Sequence, residues 1–139
     1  MMLRNQYLDH LSRVPLFSAC SKDELRRIAR QATPIRLEAG DTLVREGGSG
    51  REFFVIESGQ VEVTRGGGPV AKLGPGDHFG ELALLHRAPR DATVTTLTPG
   101  DALVLTAREF EVVLREAPQM TRKLMSRMAQ RLQMLDMTS

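Results

Sequence analysis

The sequence predicts a mainly β chain with flanking helices: an antiparallel β jelly roll (double-stranded β-helix) with N- and C-terminal α-helices. Three observations lead there. Turn signals recur at short, regular intervals: Ala39-Gly40-Asp41, Gly47-Gly48, Ser58-Gly59, Gly66-Gly67-Gly68-Pro69, Gly74-Pro75-Gly76-Asp77 and Pro99-Gly100-Asp101. Between them apolar and polar residues alternate, as at Ile35 and Leu37, Leu43 and Arg45, and Val61 and Val63, which marks strands. On either side of this region the apolar period lengthens to three and four, which marks helices. Many short strands so spaced form a sandwich or barrel, and antiparallel pairing in a jelly roll is the natural solution.

A chain of 139 residues fits one domain, 1–139, with a single core. Tryptophan is absent and aromatic content is 4%, so that core must be built from aliphatic residues and five phenylalanines. The formal charge of +2, from 19 basic and 17 acidic residues, is too small an excess for a nucleic-acid partner without a concentrated patch. Arg26, Arg27 and Arg30 come nearest to one, but Asp23 and Glu24 sit beside them, so they read as a solvated helix face. The single cysteine, Cys20, cannot form an internal disulfide and reads as a small core residue rather than a reactive thiol. No apolar stretch approaches ~20 residues, and the N-terminus has no signal-like pattern. No membrane partner is expected, and the localisation expected is cytoplasmic.

The helical N-terminal region is expected over 3–33. Leu3, Tyr7, Leu8 and Leu11 recur at helical spacing within a first helix and turn over 3–18. Val14-Pro15-Leu16-Phe17 breaks that helix and inserts apolar side chains. Ser21 with Glu24 three residues on forms a capping box for a second helix, whose Leu25, Ile28, Ala29 and Ala32 share one face and which Pro34 ends. The jelly roll is expected over 35–105, and the continuous apolar run 53–56 predicts a strand covered on both faces. C-terminal helices are expected over 107–136. Thr106 with Glu109 makes a second capping box, with Phe110, Val113 and Leu114 as the inner face. Pro118 opens the last helix, where Met125, Met128, Leu132 and Leu135 make a narrow apolar stripe flanked by Leu124. That stripe folds back on the barrel, pairs with its copy in a homodimer, or closes over a bound ligand.

The stretch 79–94, FGELALLHRAPRDATV, interrupts the regular strand pattern. Gly80 lets the backbone approach a ligand with no side chain in the way. Residues 81–85 can form one helical turn whose first N–H groups point outward as donors for an anion. Arg90 offers a planar fork of donors matched to phosphate oxygens, and Pro89 sets the approach to it. Glu81 has no cation beside it in sequence and suits a pair of sugar hydroxyls.

These residues resemble the phosphate-binding cassette of the cyclic-nucleotide-binding domain family, which includes protein kinase A regulatory subunits and bacterial catabolite-activator proteins. VPLFSACSKDEL, EAGDTLVREG, FFVIESGQVEV and GPGDHFGELALL follow the family order, so the resemblance covers nearly the whole chain. It implies the same jelly roll and a non-catalytic sensor whose regulatory ligand is cyclic AMP or cyclic GMP, with no metal. It makes Arg90 the ion-pair partner of the cyclic phosphate and Glu81 the acceptor for the ribose 2′-hydroxyl. Gly80, Leu82 and Ala83 supply backbone shape and N–H donors, and Ala92 occupies a small position beside the phosphate. By the same alignment Val63, Val70 and Ala71 line an apolar slot for the purine, with Met128 or Leu132 as its cap; read by themselves they are ordinary core.

Asp91 departs from the family pattern, which has a small residue there. A carboxylate near a phosphate is repulsive, so Asp91 is expected to point to solvent or to pair with Arg90 or Arg87. The residue does not settle cyclic AMP against cyclic GMP, and the reading leans to cyclic AMP. Homodimerisation through the C-terminal helix and docking to an effector protein are the partner expectations. Three rival readings remain. A cupin-type metal enzyme would have to use His78 and Glu81 without the usual pair of histidines. A scaffold would have kept the fold and lost the ligand. A transcription factor of the catabolite-activator type would need a helix-turn-helix module after Ser139.

Overall fold

Local signals set most element boundaries in the computed structural model, which describes residues 8–9, 11–80 and 89–138. Helix α1 (Lys22–Gln31) opens where the sequence places its cap: the Ser21 hydroxyl accepts the Glu24 N–H at 3.1 Å, and the Glu24 carboxylate accepts the Ser21 N–H at 3.0 Å. Helix α2 (Ala107–Glu116) opens on the same device at Thr106 and Glu109, and buries Phe110 and Val113. Helix α3 (Pro118–Thr138) follows after Ala117 alone. No helix among the described residues is long and apolar enough to cross a membrane.

Among the described residues eight strands form two four-stranded antiparallel sheets: β1 (Thr33–Leu37), β2 (Thr42–Val44), β3 (Glu52–Ser58), β4 (Val61–Arg65), β5 (Gly68–Leu73), β6 (His78–Phe79), β7 (Thr93–Thr96) and β8 (Gly100–Thr106). One sheet has the order β1-β8-β3-β6 and the other β2-β7-β4-β5, the crossed-over arrangement of a jelly roll. The β4–β5 hairpin turns through Gly66 and Gly67, both at positive φ, which matches a two-residue turn with the twist of its strands.

The run 53–56 shows why a strand can be apolar at every position. Phe53 and Val55 join the cluster beneath the helices, with Leu25, Ile28, Phe110 and Met120. Phe54 and Ile56, on the opposite face, join the cluster between the sheets, with Val61, Phe79 and Val94. Phe53 lies 4.9 Å from Phe110 between ring centroids, and Phe54 stacks on Phe79 at 4.8 Å.

Two expectations need correction. Strand β1 begins at Thr33 rather than 35, and Pro34 lies inside it; this is an edge strand, where a missing N–H breaks no ladder. The break expected at Val14-Pro15-Leu16-Phe17 is present: Pro15–Phe17 is a 3-10 turn that sends Leu16 and Phe17 into the core. Leu3 and Tyr7 lie outside the described residues. On α3, the buried face is Met120 and Leu124 with Met128 packed beside them, whereas Met125 is 64% exposed. Residues 120, 124 and 128 are four apart and stack on one face, so Leu124 belongs to the seam that the sequence reading gave to Met125. The side chains of Leu132 and Leu135 lie outside the described residues.

Candidate ligand-binding site

Strand β6 is followed at once by Gly80, whose φ of +100° L side chains rarely adopt. A Cβ there would run into the carbonyl oxygen of Glu52. With no side chain in the way, Arg90 reaches between β6 and β3. Its Nη1 donates to the Gly80 carbonyl at 3.2 Å, and its Nη2 donates to the Glu52 carbonyl at 2.9 Å. The Glu52 carboxylate lies 3.7 Å from Nη2, and the Arg90 side chain is only 5% exposed. A guanidinium so far from water needs partners for its charge and donors, and for its two Nη groups the Gly80 and Glu52 carbonyls and the Glu52 carboxylate are among them.

The backbone around Arg90 is strapped to the β2–β3 loop. The Arg90 N–H donates to the Gly48 carbonyl at 2.9 Å, and the Gly47 N–H donates to the Arg90 carbonyl at 2.7 Å. One residue earlier, the Glu46 N–H donates to the Thr93 hydroxyl at 2.9 Å while its carboxylate accepts the Gly66 N–H at 2.9 Å. The β2–β3 loop, residues 90–93 and the tip of the β4–β5 hairpin therefore form one connected frame.

Gly80 and Arg90, named from sequence, are thus brought together, and Ala92 is buried beside them in the chain. Asp91 is 68% exposed, toward solvent as one expectation had it, and among the described residues its carboxylate pairs with Arg65 at the end of β4 rather than with Arg90: Nη2 lies 3.4 Å from the carboxylate, and Nε donates to the Asp91 carbonyl at 3.0 Å. Arg87 lies outside the described residues. The β4–β7 register, Thr64 opposite Thr93, carries Arg65 past the end of β7 to the level of Asp91. Val63 and Ala71 are register partners whose side chains share a face. Val63 packs against the inter-sheet cluster, and Ala71 is exposed. Val70 is the extra residue at the shift between the Val63–Ala71 and Thr64–Pro69 pairs, and is 53% exposed. Glu81, Leu82 and Ala83, like Leu84 and Leu85, lie outside the described residues.

Sequence reasoning missed Glu46, Glu52 and Arg65. Glu52 and Arg65 sit at strand ends and Glu46 in the β2–β3 loop, and each meets its partner only across the fold, so local spacing held no signal. His78, the residue a metal reading would enlist, is buried with its ring 5.5 Å from Phe53. Its Nε2 lies 3.3 Å from Arg127 Nη1 on α3, and because a guanidinium only donates, Nε2 accepts. Among the described residues no group of three or more His, Cys, Asp or Glu side chains is placed to hold a metal ion.

A two-sheet jelly roll with terminal helices, which turns an arginine inward onto a glycine at the end of a short strand, is the architecture of a regulatory domain. The family model for the cyclic nucleotide-binding domain matches residues 34–117, and the chain belongs to that family. It is 42% identical over 97 residues to the cAMP-dependent protein kinase regulatory subunit of Yarrowia lipolytica, a match covering 68% of this chain and 26% of that protein. The chain thus spans about a quarter of this curated relative. Among solved structures it is similar to the Thermus thermophilus catabolite activator protein (TM-score 0.81, 26% identity, 89% of this chain and 61% of that one). It is also similar to the regulatory subunit of a cAMP-independent protein kinase A from Trypanosoma brucei (TM-score 0.80, 28% identity, 91% and 46%).

Proposed function

We propose that the domain is a non-catalytic sensor of a purine cyclic nucleotide, cyclic AMP in preference to cyclic GMP, and that its C-terminal helices report occupancy. The observation that carries this reading is Arg90, a cation held almost out of water by the backbone of Gly80 and Glu52. An arriving cyclic phosphate would take up donors that these carbonyls now use. Glu81 would accept the ribose 2′-hydroxyl, and Leu82, Ala83 and Ala92 would shape the phosphate end. Val63, Val70 and Ala71 would line the purine slot.

The lean to cyclic AMP draws support from the printed name of the Yarrowia relative, a cAMP-dependent regulatory subunit. Signalling through the helices draws support from two contacts that start next to the site. His78, two residues before Gly80, meets Arg127 on α3, and Phe53, next to Glu52, meets Phe110 on α2. A ligand can shift these helices only by as much as it prefers one arrangement over another.

Titration calorimetry of the protein with cyclic AMP and cyclic GMP tests the reading: binding with cyclic AMP the tighter is expected. A second reading, a scaffold that keeps the fold without the ligand and acts by dimerising or docking to a partner protein, is favoured by Glu52, whose carboxylate already neutralises Arg90. No heat and no thermal shift with either nucleotide would select the scaffold.

A further inference from the structure

We propose that Arg65 is a positioning residue of the anion site: it holds the Asp91 carboxylate against β4, so that this negative charge does not oppose the ligand's phosphate. The inference rests on Arg90 as the cation for a cyclic phosphate.

Asp91 follows Arg90 directly, and successive Cα atoms lie about 3.8 Å apart. An anion engaged by Arg90 therefore sits within one Debye length of the Asp91 carboxylate, where like charges repel. Left to rotate, that carboxylate would sweep the approach to Arg90. Arg65 prevents this with two contacts at once, Nε on the Asp91 carbonyl at 3.0 Å and Nη2 near its carboxylate at 3.4 Å. One guanidinium gripping both the backbone and the side chain of a residue fixes orientation in a way that a single surface ion pair does not. The base of the Arg65 side chain is itself anchored, because the Gly66 N–H is held by Glu46 and the Glu46 N–H by Thr93. The pair is exposed, Arg65 at 55% and Asp91 at 68%, so it adds little to folding stability. Its consequence lies in where the charge points.

The test is calorimetric titration with cyclic AMP of wild type, Arg65→Ala, Asp91→Asn and the double variant, at low and high salt, alongside thermal unfolding without nucleotide. Arg65→Ala is expected to weaken binding about threefold to tenfold at low salt, and less at high salt, while the unliganded melting temperature stays near that of wild type. Asp91→Asn added to Arg65→Ala is expected to restore the affinity, which a merely structural role for Arg65 would not do. Arg65→Ala at wild-type affinity, or a loss that persists in the double variant, overturns the proposal. Wild type that binds neither cyclic nucleotide overturns the sensor reading and this inference with it.

Discussion

The Glu24 carboxylate on α1 accepts the backbone N–H of Gln119, in the first turn of α3, at 3.1 Å. Its other oxygen caps α1 itself through Ser21. Three residues on, Arg27 donates to the Glu116 carbonyl at the C-terminal end of α2, at 3.1 Å. Helix α1 thus offers an anion to a helix N-terminus and a cation to a helix C-terminus, the favoured sign at each. Between them Ala117 leaves helical geometry, with φ −130° and ψ 70°. The break between α2 and α3 is held from outside, by a helix about ninety residues away in the chain.

Glu24→Ala should therefore cost about 2–3 kcal/mol, because it removes a capping box and leaves a shielded N–H without an acceptor. Urea unfolding measures it. Burial opposes the Glu24 carboxylate, but the N–H groups of Ser21 and Gln119 and the charge of Arg27 outweigh it and hold the group below the usual carboxylate range. A carboxyl depressed on folding contributes stability above its unfolded value and loses it as pH falls through its folded value. Glu24→Gln should accordingly flatten the acid limb of the stability curve, and an unchanged limb would remove Glu24 from this role.

Arg90→Ala should lower cyclic-nucleotide affinity by about 2–4 kcal/mol, since it removes a buried charge and strands Glu52. Calorimetry with the folded variant, checked by circular dichroism, reads the effect. Affinity equal to wild type would contradict the assigned role.

Gly80→Ala and Gly40→Ala form a matched pair. Both glycines have positive φ, but a Cβ on Gly40 meets nothing within 4 Å, whereas one on Gly80 meets the Glu52 carbonyl and the Arg90 guanidinium. Backbone strain alone costs on the order of 1–3 kcal/mol. Gly80→Ala should exceed Gly40→Ala by about 1–2 kcal/mol through overpacking and should also lose nucleotide binding. Equal losses in thermal unfolding would mean that the close approach is dispensable.

Thr96 is buried at the end of β7, and its hydroxyl has no hydrogen-bond partner among the described residues. Replacement by the same shape without the polar atom should be neutral or stabilising. Thr96→Val should raise the melting temperature by up to about 3–5 °C, corresponding to about 1 kcal/mol. A fall of similar size would mean that the hydroxyl has a bound water or ligand as partner.

Burial, with the charge of Glu24 next in effect, pushes the Cys20 thiol up to about 11. At neutral pH roughly one thiol in ten thousand is then thiolate, far below the few per cent of an ordinary cysteine. Alkylation by a thiol reagent should be slow in the native protein and should accelerate sharply in denaturant. Rapid labelling of the folded chain would show that the half-buried thiol is not held protonated.

Contacts three or four residues apart were legible in advance. Ser21 and Glu24, and Thr106 and Glu109, were recognisable as caps because both partners lie in one turn of helix. The run 53–56 announced a doubly covered strand because alternation sends its neighbours to opposite faces. The seam of α3 was misread by one position, since its helical stripes are close together and only the packed core chooses between Leu124 and Met125. Gly80 and Arg90 could be named from the cassette pattern, but their partner Glu52 could not.

Sequence alone, then, determined where the capped helices begin, that the strands close a jelly roll, and which stretch holds the motif proposed to bind the anion. All of these follow from short-range periodicity, turn chemistry and a contiguous motif. Only the tertiary structure decided that Glu52 neutralises Arg90, that Arg65 restrains Asp91, and that Glu24 grips α3. Those pairs are created by sheet register and helix docking between distant segments, and the free energy that selects them comes from burying two whole hydrophobic clusters, a property that no local window of sequence contains.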